Sequence, residues 1–455
     1  MVLATASGEL AGEQTLRAAA EQALRCAQGE GRAAEVTVSS ADGQLTRYAN
    51  NEIHQHVAER DVNLHVRIAI GQRVGSASAN GLDEDTIRNV VERATTIARL
   101  QRENPDFPGF PGPFHPPSLA GMLAAGTREA TPEARAERVA IVCRRAQESG
   151  FVAAGECSTS LRERLLMNST GTRAYHASAF ARLQAVAIGE TSSGYGLRQG
   201  TDFAAIDAEA VAAEAAGKAE RGRNPEDLDP GEYDVVLEPY AVEDVIRFLA
   251  GLGLQGRAVL EKTSFVAEKL GQQLLGDQVT LVDDPLDPAG SPRPFDSEGV
   301  PKRRLTLVNQ GVVEAVTYDT LTASKAGTKT TGHASMGGWF GPTASNLHLL
   351  PGQLSRDQLI GKIERGLLVT RFWYTRPVHP LTVTVTGMTR DSTFLIERGQ
   401  VTRPVKNLRF THSYVKAFQD VIGVGADPLL AGDGSPILTP AVAIRGFRFT
   451  GKSEY

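Results

Sequence analysis

The chain has 455 residues, of which 41% are hydrophobic and 22% charged, and a formal net charge of −5. That length predicts two or three domains rather than one core. The charge balance excludes a phosphate-backbone partner, since no Lys/Arg run stands out. No stretch approaches the ~20 apolar residues of a membrane helix, so no membrane partner is expected.

The first residues, MVLATASGEL, lack the basic start and apolar run of a secretory signal, so a cytoplasmic location is expected. Cys26, Cys143 and Cys157 show no CxxC spacing and are odd in number, which predicts reduced thiols. GEQTLRAAAEQALRCAQG reads as a helix ending near Gly29. In VNLHVRIAI, Val62, Leu64, Val66, Ile68 and Ile70 alternate with polar or small residues, the period of a half-buried strand. A turn and return strand follow in GQRVGSASAN. DEDTIRNVVERATTIARL then places Ile87, Val90, Val91, Ala94, Ile97 and Ala98 on one helical stripe. Residues 1–103 are therefore expected to form an α/β domain with an antiparallel sheet.

Residues 104–118, NPDFPGFPGPFHPPS, are dense in Pro and Gly and predict a linker or an extended surface segment. A second α/β segment is expected over 119–229. Thr131 and Pro132 suit an N-cap and first turn, and strands such as ERLLMNSTGTRAYHAS precede the helix DAEAVAAEAAGKAERG. Strands and helix recur, but the echo is too weak to read as a repeat. From about residue 230 to 455 the chain turns β-rich, with hairpin turns at Asn309-Gln310-Gly311 and Glu397-Arg398-Gly399. The expected class is α+β: an N-terminal α/β region with antiparallel sheet, then a β-rich C-terminal domain.

GLGLQG supplies Gly251, Gly253 and Gly256 at the spacing of a dinucleotide-binding turn. Such a turn must leave a strand and open a helix. Here AVEDVIRFLA precedes it, with Val242, Val245, Ile246 and Leu249 in helical register. Gly251 is therefore expected at the end of a helix, where a left-handed cap is wanted. A nucleotide-dependent oxidoreductase is set aside on that context.

Several segments lie in one order over the chain: LHVRIAIGQRVGSASANGL and LMNSTGTRAYHAS, then PFDSEGVPKRRLTLVNQGVVEAVTYDTLTASKAGTKTTGHA, NLHLLPG, GLLVT, STFLIERGQVTRPVKNL and DVIGVGAD. Together they resemble the TldD/PmbA family of peptidases. The family's catalytic half, TldD, is similar to a zinc peptidase with an HExxxH motif and a cysteine ligand near its C-terminus. Laid on that pattern without a gap, VVLEPYAVEDVIRFLAGLGLQG puts Arg247 at the first histidine, Phe248 at the glutamate and Leu252 at the second histidine. The cysteine position falls near Leu430–Ala431, where there is no cysteine. Arg repels a cation, and Phe and Leu have no lone pairs for zinc.

The resemblance is thus closest to the PmbA/TldE-type subunit, and implies no zinc or other cofactor in this chain, with zinc in a TldD-like partner. The expected function is the non-catalytic subunit of a heteromeric zinc metallopeptidase that processes unfolded peptides. On this reading Gly251, Gly253 and Gly256 are the scaffold of a degenerate zinc site. The alternatives are a stand-alone homodimer that binds peptide or protein, and an active peptidase with a different metal site. For the second, Glu52, His54 and His56 are expected on one face of a strand, although a solvated face accounts for them as well. Asp296, Ser297, Glu298 and Gly299 read as a loop lining the peptide channel, as does His333 in TTGHASMGG, which has no GxSxG nucleophile nearby. RFWYTRP (371–377) groups aromatics with arginines, either an interface hot spot or a covered loop.

Overall fold

The computed structural model describes residues 10–117, 119, 121–335 and 341–453. The fold is α+β. In the first half, α1 (Glu13–Cys26), β1 (Arg32–Ala49), β2 (Glu52–Ile70), β3 (Arg73–Asn80) and α2 (Glu84–Leu100) form one run of elements. After the short α3 (Ala125–Arg128), the run recurs as α4 (Pro132–Glu148), β4 (Val152–Asn168), β5 (Arg173–Ile188), β6 (Ser193–Gly200) and α5 (Ala208–Arg221). The six strands make one antiparallel sheet in the order β3-β2-β1-β4-β5-β6. The two runs meet at β1–β4, so the sheet has the same order read from either edge. This is an internal structural repeat, which the sequence echo did not reveal.

Helix starts follow local chemistry. Asp83, Thr131 and Asp207 each accept a hydrogen bond from an amide of the first turn of α2, α4 and α5, a cap worth about 1 kcal/mol. The α1/α2 pair packs on β1–β3 through Leu16, Ile87, Val90 and Ala94 against Val36, Leu64, Val66 and Ile68. The α4/α5 pair packs on β4–β6 through Val139, Val142, Val211 and Ala215. In each run an edge-strand glycine admits the last helix: a Cβ on Gly75 would overlap the α2 backbone, and one on Gly194 the α5 backbone. The Pro-rich segment is laid along the turn between β4 and β5. The Arg173 amide donates to Phe114 O at 2.9 Å, and Asn168 Nδ2 to Pro111 O at 2.9 Å.

The second half closes a barrel. β7 (Gly231–Leu237), β12 (Arg365–His379), β13 (Thr384–Glu397), β15 (Leu408–Ser413) and β19 (Val442–Lys452) pair in the order β12-β7-β19-β15-β13, and β13 pairs back to β12. Only the β12–β7 step of this ring is parallel. β14 (Gln400–Val405) adds to β13, and β16 (Val421–Val424) to β19. A second sheet runs β10-β9-β8-β11-β18-β17, from β8 (Leu281–Asp283), β9 (Leu305–Asn309), β10 (Val312–Val313), β11 (Leu347–Leu349), β17 (Leu429–Ala431) and β18 (Ile437–Thr439). The helices here are α6 (Pro239–Gly253), α7 (Gly256–Leu260), α8 (Thr320–Ala326), α9 (Arg356–Gly361) and α10 (Tyr414–Gln419). α6 buries Val242, Val245, Ile246 and Leu249 in the same core as barrel residues Val235, Leu237, Leu367, Val369 and Phe447. Both expected hairpin turns form, with positive φ at Gln310 and Gly311 and at Arg398 and Gly399.

Candidate functional site

The site grows from α6. β7 ends at Leu237, and Pro239 opens the helix, where its missing N–H costs nothing. One face of α6, Tyr240, Glu243, Asp244 and Arg247, lines an open pocket of about 350 Å³. Tyr195 of β6, Arg371 to Thr375 of β12, and Gly432 and Asp433 after β17 complete the wall.

Arg247 and Glu243 form an ion pair across one helical turn. Arg247 Nη2 also donates to the main-chain oxygen of Asp433 at 3.3 Å. Gly432, at φ +95°, presses its backbone on this pair: a Cβ there would lie 2.5 Å from the Glu243 carboxyl and 2.6 Å from Arg247 Nη2. Burial pushes the Glu243 carboxyl up to about 7; Arg247 opposes the shift, and Asp244 and Asp433 add to it. Asp244 is half-buried and its carboxyl is also raised by desolvation, although Thr375 Oγ1 at 2.8 Å and Tyr414 Oη at 2.7 Å each donate to one of its oxygens.

The turn after β17 is gripped by the first half as well. Arg182 of β5 pairs with Asp433 and donates to Gly432 O at 3.3 Å. Gln199 of β6 donates to Leu430 O at 3.2 Å and Gly432 O at 3.0 Å. The pocket therefore sits where both halves of the chain meet.

The matched positions are only partly brought together. Arg247 faces the pocket, and the segment holding Leu430 and Ala431 leads directly into it. Phe248 instead packs edge-on to Tyr414, 6.0 Å between ring centroids, and Leu252 packs against the main core. The cause is that α6 is one continuous helix, in which neighbours diverge by roughly 100° per residue.

The glycines need correction. α6 runs on through Gly251 to Gly253, and none of Gly251, Gly253 and Gly256 has positive φ. Gly251 is an exposed helical residue with open space around it; it is not a left-handed cap. A Cβ on Gly253 would overlap the ring of Phe265, and one on Gly256 the ring of Tyr318. These two glycines admit aromatic rings.

Of the residues expected to line a channel, Asp296 to Gly299 lie in the seam between the halves and His333 lies inside the second half, and none of them lines the pocket. Asp296 Oδ1 accepts from the amides of Glu298 at 2.9 Å and Val300 at 3.0 Å, and Oδ2 from Ala334 at 2.9 Å, a turn built on its carboxylate. Ser297 O accepts from Arg164 at 3.4 Å. Gly299, at φ +76°, abuts Leu166 of β4 and Thr172. Glu298 accepts from the Thr320 amide at 3.0 Å; burial, then Asp296, pushes its carboxyl up to about 7 against the pull of Arg67. His333 is fully buried, with Nε2 2.9 Å from Asp283 Oδ2 and Nδ1 2.9 Å from Thr331 Oγ1. Burial would raise Asp283, but Lys302 and His333 outweigh it and hold the carboxyl well below the usual range. Residues 336–340 of the same stretch lie outside the described residues.

Glu52, His54 and His56 do not share a face. Arg47 pairs with Gln55 and Tyr48 with Ile53, so a bulge at His54 breaks the alternation and puts Glu52 and His56 on opposite faces. His56 bonds Thr46 at 3.0 Å and Arg135 at 3.4 Å. Among the described residues no three His, Cys, Asp or Glu side chains form a group that could hold a metal ion. Sequence reasoning missed Glu243 and Asp433. The i, i+4 spacing of Glu243 and Arg247 was the available signal for the first; the second is brought in only by the fold.

Residues 34–98, 125–223 and 230–451 match, in order, domain 1, the central domain and the C-terminal domain of the PmbA/TldA metallopeptidases. This chain belongs to the PmbA/TldD metallopeptidase family. It is 25% identical to the metalloprotease PmbA of Escherichia coli O157:H7, over 90% of this chain and 91% of that one. It is equally 25% identical to a TldD homolog of Haemophilus influenzae, over 79% and 78%. The crystal structure of TldE from Thermococcus kodakarensis superposes with a TM-score of 0.84 at 21% identity, covering 96% of this chain and 99% of that one. Identity does not separate the PmbA relative from the TldD relative.

Proposed function

We propose that this chain is a TldE-like, non-catalytic subunit that works with a zinc-bearing TldD-like chain on unfolded peptides. The observation that carries the reading is the Arg247–Glu243 ion pair, which occupies the helix face where a family ligand is expected. The residues at the matched positions do not fit zinc: a guanidinium repels it, and Phe248 and Leu252 offer it no lone pair. Phe248 also leaves no carboxylate there to activate water. This chain then contributes structure and peptide contact, while its partner supplies the chemistry.

An edge for peptide is at hand. β3 pairs with Asn63–Ile70 of β2, and among the described residues no strand pairs with the outer side of residues 52–62. An extended peptide can add there through main-chain hydrogen bonds without its sequence being read. Co-purification with a TldD-like chain, followed by casein digestion with each chain alone and together, tests the proposal. Digestion is expected only with both chains. Chelator-sensitive digestion by this chain alone refutes it.

A further inference from the structure

The pocket over α6 has features that the ion pair does not require. Arg371 is held between two rings, its guanidinium carbon 4.4 Å from the Tyr195 centroid and 4.9 Å from that of Trp373. Its Nε is anchored on Asp391, which also accepts from Ser193 Oγ at 2.8 Å. Its two Nη groups have no partner among the described residues. Arg247 meets Glu243 and Asp433 through Nη2, and among the described residues its Nε and Nη1 have no hydrogen-bond partner. At the rim, β12 and β13 lose register between Trp373 and Arg376, and Tyr374 sits at φ +55°. That left-handed conformation is costly for an aromatic residue, and such strain collects at binding sites. The break leaves Trp373 45% and Tyr374 65% exposed at the mouth.

We propose that this pocket binds a carboxylate of an unfolded peptide, with Arg247 and Arg371 as donors and Trp373 and Tyr374 as an apolar wall for the neighbouring side chain. The proposal rests on the reading that the chain holds peptide. A guanidinium presents paired N–H donors that match a carboxylate, and one already stacked between rings loses little freedom on binding. The carboxylates in the wall do not block the site. Glu243 is paired with Arg247, Asp433 with Arg182, and both Asp244 oxygens are bonded. An incoming carboxylate meets the unused nitrogens, so Glu243 need not leave. The volume of about 350 Å³ lies at the small end of the ~300–1,000 Å³ typical of ligand pockets, which suits a terminal residue. The carboxylate can come from a peptide C-terminus or from a Glu or Asp side chain.

Calorimetric titration of the full chain tests this with three probes: an N-acetyl dipeptide ending in Phe as the free acid, the same peptide amidated, and an amidated peptide with one internal Glu. The free acid is expected to bind at least about tenfold more tightly than its amide, a difference of about 1.4 kcal/mol. Arg371→Lys, which keeps the charge beside Asp391, and Tyr374→Ala, at an exposed strained residue, are each expected to weaken it by about as much. Binding of the glutamate peptide but not the free acid supports the site and assigns the carboxylate to a side chain. Equal binding of acid and amide without tighter binding of the glutamate peptide, no binding of any probe, or unchanged binding in both variants overturns the proposal. A long amidated peptide without acidic residues, bound alike by wild type and both variants, would leave the peptide-holding reading standing while the pocket proposal falls.

Discussion

Arg247 reaches from α6 to the main-chain oxygen of Asp433, 3.3 Å away, and so ties the helix to the turn that follows β17. The same turn is held from the first half by Arg182 and Gln199. One turn is thus held by α6 and by two strands of the first half.

Gly432 is the residue least free to change in this turn. Gly432→Ala brings a Cβ to 2.5 Å from the Glu243 carboxyl at φ +95°. It is expected to cost about 1–3 kcal/mol from the strained backbone alone, with further loss as the ion pair shifts. Urea unfolding measures it; an unchanged midpoint contradicts the geometry.

Two glycines near the end of α6 behave oppositely. Gly251→Ala fills open space on an exposed helical face, and is expected to stabilise by about 0.5–1 kcal/mol. Gly253→Ala drives a methyl into Phe265 and is expected to destabilise by about 1–3 kcal/mol. Thermal melts of the two variants beside wild type decide it, and the same sign for both would contradict the continuous helix.

Glu243 links stability to pH. Its carboxyl is raised from 4.5 to about 7 in the fold, so the folded state binds its proton more tightly than the unfolded chain. Its contribution is full below about 4.5 and is lost as pH rises through 7. A tenfold difference in proton affinity between the two states is worth about 1.4 kcal/mol, so the loss is bounded at roughly 3–4 kcal/mol. Glu298 is raised in the same direction. Glu243→Gln, neutral throughout, is therefore expected to gain on wild type between pH 5 and pH 8. Denaturant midpoints showing a pH-independent difference would contradict this.

Much of the first half was legible because amphipathic periods and caps act locally. The stripe from Ile87 to Ala98 and the Thr131–Pro132 start both stand in the structure. The internal repeat was not legible, because different apolar residues satisfy the same burial in each run, Ile87 and Val91 in one and Ala208 and Ala212 in the other. The bulge at His54 was hidden too, since register depends on the partner strand. At the site, Arg247 stands out only when the motif of the family it resembles is laid on the helix. Arg371 and Asp433 could not be placed beside it, because they lie more than a hundred positions away and meet it only through β12 and the turn after β17.

The central claim, that this chain has no zinc site of its own, is tested most directly by the metal content of the lone chain. The purified protein would be loaded with excess zinc, passed through gel filtration, and assayed by elemental mass spectrometry. Far less than one zinc per chain is expected. One zinc retained per chain, and lost on changing residues around Arg247, would contradict the claim.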